Sequence, residues 1–199
     1  KGAWRGTNSI EGWSFRGCEG RETTVEVYSC GEKAELLING VSQGRKEITD
    51  GIAEYVCCYE PGMIEAVSYD DFGRETGRSI LRSAQGALSL RLRQEPETEH
   101  RKAGSVIYVM VEVVGENGVL ENHADQKIKI RVEGGTLLGF GSARARTPEH
   151  FTEGCYTTYY GRALAAVLTG EETNTVIYAY SEEGMQGSLI IEKEERKNG

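Results

Sequence analysis

The sequence predicts an all-β protein made of antiparallel sandwiches. Three observations carry that expectation: apolar side chains recur at every second position in short runs, glycine-bearing pairs separate those runs, and no long stretch holds the spacing of an amphipathic helix. Glycine is frequent, at 26 residues, while proline is scarce, at 3, so the reversals rest on glycine's tolerance of positive φ.

The elements follow in order. Val25 and Val27 in TVEVYS share a face, as do Ala34, Leu36 and Ile38 in AELLIN. Asn39-Gly40 comes next and predicts a two-residue type I′ hairpin, because both central residues of that turn need positive φ. Pro61-Gly62 and Asp71-Phe72-Gly73 mark further reversals. Over residues 83–87, Ser-Ala-Gln-Gly-Ala breaks the pattern, and a fresh strand then begins with Leu88, Leu90 and Leu92 in ALSLRLR. A domain boundary is expected there, giving 1–85 and 86–199 as two consecutive immunoglobulin-like β-sandwich domains, each near the size of about 100 residues that such a fold needs.

In the second half, Ile107, Val109, Val111 and Val113 occupy one face of a long strand whose other face carries Val106, Tyr108 and Met110, so this strand should be central. Ile128, Ile130 and Val132 alternate with Lys and Arg and predict a half-exposed strand. Asn117-Gly118 must reverse the long strand, Gly134-Gly135 marks another turn, and Gly139 and Gly141 in GTLLGFGSAR suit a bend or bulge.

Composition excludes several functions. The formal net charge of −8, shared evenly by the two halves, opposes a phosphate-binding surface, so nucleic acid is not an expected partner. No apolar run reaches the roughly 20 residues of a membrane-spanning helix. The five cysteines, Cys18, Cys30, Cys57, Cys58 and Cys155, lack C-x-x-C spacing, and Cys57 and Cys58 should point to opposite faces of one strand. Buried thiols are therefore expected in place of a disulfide framework. His100, His123 and His150 are far apart, so neither a metal nor any other cofactor is expected. There is no Walker loop, and Gly139-x-Gly141 lacks the third glycine of a dinucleotide fingerprint. Asp70-Asp71 and Glu171-Glu172 read as turn and surface acids, not as a glycosidase pair.

Aromatic residues are the remaining candidates for function. Trp4, Tyr156, Tyr159 and Tyr160 fall outside clean alternating strands and are the candidate carbohydrate contacts, although core packing competes for each; Trp13 is expected in the core. The chain starts with Lys, so upstream sequence is expected, and free thiols without a visible export signal favour the cytoplasm unless that upstream part carries a signal for the periplasm or secretion.

Two segments resemble a known family. GWSFRGCEGRETTVEVYSCGEKAELLINGVSQGRK from Gly12, followed by YEPGMIEAVSYDDFGRE, resembles the domain after the catalytic barrel in β-galactosidase-type enzymes of glycoside hydrolase family 2. ALSLRLRQEP, VIYVMVEVVGENGVLENHADQKIKIRVEGGTLLGFGS and YYGRALAAVL resemble the immunoglobulin-like C-terminal domain that follows it. The resemblance implies a parent enzyme whose jelly-roll domain, immunoglobulin-like domain and TIM barrel lie upstream. Its two catalytic glutamates belong to that barrel, so no catalytic residue is carried over. Where the family often shows Gly-x-Gly-Asn-Gly-Asp, this chain has Gly139-Phe140-Gly141-Ser142-Ala143-Arg144. The function implied is a non-catalytic accessory region whose partners are the barrel and other domains of the parent, with a homo-oligomer possible through that parent. The alternatives are a carbohydrate-binding module and an adhesive pair of immunoglobulin-like domains.

Overall fold

The computed structural model describes residues 9–96 and 104–192. The chain divides into two compact units, Lys1–Ser83 and Ala84–Gly199. Among the described residues every extended regular element is a strand, and every pairing between strands is antiparallel.

The first unit holds β1 (Glu22–Tyr28), β2 (Lys33–Ile38), β3 (Val41–Glu47), β4 (Ile52–Cys58), β5 (Met63–Tyr69) and β6 (Glu75–Arg82). β1 and β4 form a two-stranded sheet that faces a four-stranded sheet in the order β3-β2-β5-β6. The alternation in the sequence fills the space between them: Ala34, Leu36 and Ile38 from β2 meet Ala53, Tyr55 and Cys57 from β4, while Cys58 next door is exposed. Asn39 and Gly40 have φ of 49° and 81°, the two left-handed residues expected of the β2–β3 hairpin. In the β5–β6 hairpin one oxygen of Asp70 accepts the N–H groups of Phe72 and Arg74, so a side chain holds the turn.

The described residues before β1 form an irregular segment. Trp13 is buried in it, donates its ring N–H to the Glu60 carbonyl at 3.0 Å and meets Tyr59 edge-on at 5.0 Å. The Tyr59 hydroxyl accepts the Phe15 N–H, and the Ser83 hydroxyl donates to the Trp13 carbonyl. The expectation that Trp13 belongs to the core holds.

The second unit holds β7 (Ser89–Gln94), β8 (Val106–Val114), β9 (Lys127–Glu133), β10 (Gly135–Gly141), β11 (Cys155–Thr157), β12 (Arg162–Thr169), β13 (Thr175–Ser181) and β14 (Gln186–Ile191). Its sheets run β10-β12-β8-β7 and β11-β9-β13-β14. Counting from β7 as the first strand, this is the immunoglobulin order of four strands over three, with β11 added beside the third. β8 lies between β12 and β7, the central position its two apolar faces predict. Ile107, Val109, Val111 and Val113 line the core against Ile128, Ile130, Ile177 and Ala179.

Gly134-Gly135 serves a different purpose from a hairpin turn: β9 and β10 lie in opposite sheets, so this pair carries the chain across the sandwich. The crossing is tight. A Cβ on Gly134 would sit 2.1 Å from the Asn174 carbonyl oxygen, and one on Gly170 would sit 2.1 Å from that of Gly134. Further along β10 the register slips between Leu137 and Gly139, which is the bulge the glycines there suggest.

Candidate binding surfaces

Unequal sheets leave an opening in the first unit. Two strands cannot cover four, so the inner face of β6 stays exposed, and the sequence there supplies Gly77 and Ser79 where a core would need apolar residues. The result is a cleft of about 510 Å³ between the end of β1 and the β5–β6 hairpin. Ser29, Glu32, Ser68, Asp71, Thr76 and Ser79 give it a polar lining. Ser68 and Thr76 bond to each other at 3.1 Å, and Gly31 lies beside them where a Cβ would come 2.9 Å from the Tyr69 carbonyl oxygen. The arrangement can exchange hydrogen bonds with a polar ligand.

In the second unit the outer face of the β10-β12-β8-β7 sheet carries a buried acid. Glu112, 2% exposed, accepts both Nε and Nη2 of Arg91 on one oxygen, at 3.0 and 2.8 Å, with Nε of Arg93 and of Arg162 each at 3.4 Å. Burial alone pushes its carboxyl up, but the hydrogen bond from Arg91 and the charges of the three arginines outweigh that and hold it below the ordinary carboxylate range. The same direction recurs elsewhere. Glu35 is lowered by hydrogen bonds from Ser42, Arg45 and Tyr69, and Asp70 by the Arg74 N–H. Among the described residues every carboxyl with a displaced pKa is displaced downward, opposite to what a general acid requires.

The four aromatic candidates separate. Trp4 lies outside the described residues. Tyr156 is corrected: β11 turns it inward opposite Ile128, it is 1% exposed, and its ring stacks on Phe151 at 5.3 Å, so no sugar face is available. Tyr159 is half-buried with the Arg144 guanidinium 5.8 Å from its ring centre. Tyr160 is exposed, and its ring lies 4.3 Å from that of Tyr159. The pair sits at a hairpin, since Tyr160 and Gly161 have φ of 50° and 72° between the bridged residues Tyr159 and Arg162. Tyr159 and Tyr160 thus share one place, remote in sequence from the cleft residues; the cleft itself had no motif to announce it, because a missing strand leaves no pattern.

Comparison with known proteins places this architecture. The glycoside hydrolase family 2 C-terminal domain 5 matches residues 90–190, which is half of the chain. This chain belongs to glycoside hydrolase family 2, through that C-terminal domain. A domain of unknown function, DUF4982, matches residues 20–77. Two solved structures of glycosyl hydrolase family 2 members from Bacteroides cellulosilyticus are similar: one at 30% identity and TM-score 0.80, covering 92% of this chain and 26% of that one, and another at 28% and 0.79, covering 94% and 24%. A beta-glycosidase from Bacteroides vulgatus is similar at 25% identity and TM-score 0.74, covering 92% of this chain and 24% of its own. No curated protein matches the sequence. The chain therefore spans about a quarter of the length of these solved structures.

Proposed function

We propose that this chain is a non-catalytic accessory region of a β-galactosidase-like family 2 enzyme that hydrolyses terminal β-glycosides, and that it braces the catalytic barrel of that parent. One observation carries the reading: a single run through both units aligns with about a quarter of each longer glycosidase relative, leaving about three quarters of those chains to hold other domains. The engaged state of the displaced carboxyls supports it, because a glycosidase needs one acid held protonated near neutrality and a second ready to attack or to activate water. The test is hydrolysis of nitrophenyl β-galactoside and related β-glycosides by the 199-residue chain and by the full parent. Turnover by the parent alone is expected; turnover by the short chain, or a parent without any glycosidase activity, refutes the reading.

The polar cleft favours a second reading, saccharide binding by the first unit. Its hydroxyls and the carboxyl groups of Glu32, Asp70 and Asp71, with Arg78 already paired to Glu75 at 2.8 Å, suit a neutral sugar better than a uronic acid. Calorimetry with galactan, xylan and uronate oligosaccharides tests it, and an absence of heat with every neutral oligosaccharide removes it.

A further inference from the structure

The outer face of an antiparallel sheet in a monomer ordinarily meets water with polar side chains. The β10-β12-β8-β7 sheet departs from this. Register places Met110 opposite Leu164 and Tyr108 opposite Ala166, all on the face away from the core. Opposite Ala166 on the other side, the bulge in β10 sets two residues against one and projects Leu138. Tyr108 is 39% exposed, Leu164 38% and Leu138 47%, so a continuous apolar patch crosses three strands. Along one margin Arg91, Arg93 and Arg162 surround the carboxylate of Glu112, and Arg93 also pairs with Glu95 at 2.8 Å, which leaves one positive charge in excess, and each arginine side chain is about half in water. The sequence had already given β8 two apolar faces; the fold covers only one of them.

The face measures about 19 Å by 26 Å from strand spacing and rise, or roughly 500 Å². Doubling that gives about 1,000 Å² buried, within the range of contacts between tethered domains and below the roughly 1,200 Å² at which independent chains form standard complexes. A second copy held by this face alone would be weak, whereas a domain on the same polypeptide starts at a millimolar effective concentration. Most of each similar glycosidase's chain lies outside the part this chain matches. From these points we infer that the outer face of the β10-β12-β8-β7 sheet docks another folded domain of the parent polypeptide, one presenting an apolar centre with carboxylates against the arginine margin. The inference rests on the accessory reading in one respect, that a longer parent exists.

Hydroxyl-radical footprinting of the parent and of the 199-residue chain tests it, with exposed Phe72 at the tip of the β5–β6 hairpin as internal reference. In the parent, Met110 and Tyr108 should oxidise about fivefold more slowly than in the short chain, as expected of a desolvated contact centre. Leu164→Asp in the parent should restore the fast rate; Leu138→Ser at the bulge, with a dichroism spectrum unchanged from the wild type, serves as the second variant if the first fails to fold. Equal rates in parent and short chain overturn the docking, as does protection that survives both variants. Protection in the short chain that grows with its concentration and vanishes in Leu164→Asp makes a second copy the occupant and also overturns it. β-Glycoside hydrolysis by the same parent samples scores the accessory reading separately: an inactive parent with Met110 protected sinks that reading alone, and an active parent with Met110 open sinks the docking alone.

Discussion

Replacing Glu112 with glutamine removes the one negative charge beneath three arginines while keeping the side chain's size. The acid is nearly dry at 3% side-chain exposure, and its partners are 43 to 51% exposed. Breaking a fully buried pair costs about 3 to 5 kcal/mol, and an exposed pair contributes less than about 1. The neutral amide would leave no buried charge, only three half-solvated cations without their shared anion, of which Arg93 keeps its 2.8 Å pair with Glu95, so a loss of about 2 kcal/mol is expected. With a urea slope of about 2 kcal/mol per molar, the midpoint of the second unit should fall by about 1 M. Both tryptophans, Trp4 and Trp13, precede Ser83, so fluorescence reads the first unit and far-ultraviolet dichroism reads both; the shift should appear in the dichroism. Glu47→Gln is the control, because the Lys33–Glu47 pair at 2.9 Å is 48% and 70% exposed and should change stability by less than about 0.5 kcal/mol. The sign with pH follows from the lowered carboxyl. The folded protein binds its proton less readily than the unfolded chain, so the stabilisation is present above the ordinary value of 4.5 and is lost as pH falls through the lower folded value. A wild-type midpoint that does not drop below pH 4.5 any faster than that of Glu112→Gln, or a variant shift no larger than that of Glu47→Gln, refutes the argument.

Three further outcomes are expected. Gly134→Ala should destabilise the second unit by about 3 kcal/mol or more, since its Cβ would overlap the Asn174 carbonyl and φ is +66°; a urea midpoint within 0.3 M of wild type, about the resolution of such a titration, contradicts the crossing geometry. Ser83→Ala removes the hydroxyl that donates to the Trp13 carbonyl and accepts the Gly62 N–H, and should cost about 2 kcal/mol in tryptophan-detected unfolding, with Ser83→Thr recovering part of it. Iodoacetamide should alkylate Cys58 and Cys30 in the native protein and spare Cys57, whose thiol is pushed up by burial and then by its neighbour Cys58; labelling of Cys57 at the Cys58 rate contradicts the assignment of faces in β4.

The strands were legible because period-two burial is a local property. Ala34, Leu36 and Ile38 can face a core in only one register, the two apolar faces of β8 mark it as a central strand, and Asn39-Gly40 fixes its hairpin through backbone preference alone. The candidate sites were less legible. Tyr156 looked available because YTTYY has no alternation to betray which side chain turns inward, and its fate depends on β11 pairing with β9 across a long loop. Tyr160-Gly161 could have been read as a second type I′ turn from the glycine, at the cost of a bulky residue in the left-handed region.

What this sequence determined by itself was the class of fold, the position of the central strand, the hairpin at Asn39 and the family whose motifs run through both halves. Each depends on residues that are neighbours along the chain or repeat at a fixed short spacing. Only tertiary structure decided that Gly134 crosses between sheets, that two strands fail to cover four and open a polar cleft, and that Glu112 gathers Arg91, Arg93 and Arg162. Those facts depend on which strands become neighbours in space, and the free energy that selects those neighbours is spread over the whole core instead of being written at any one position.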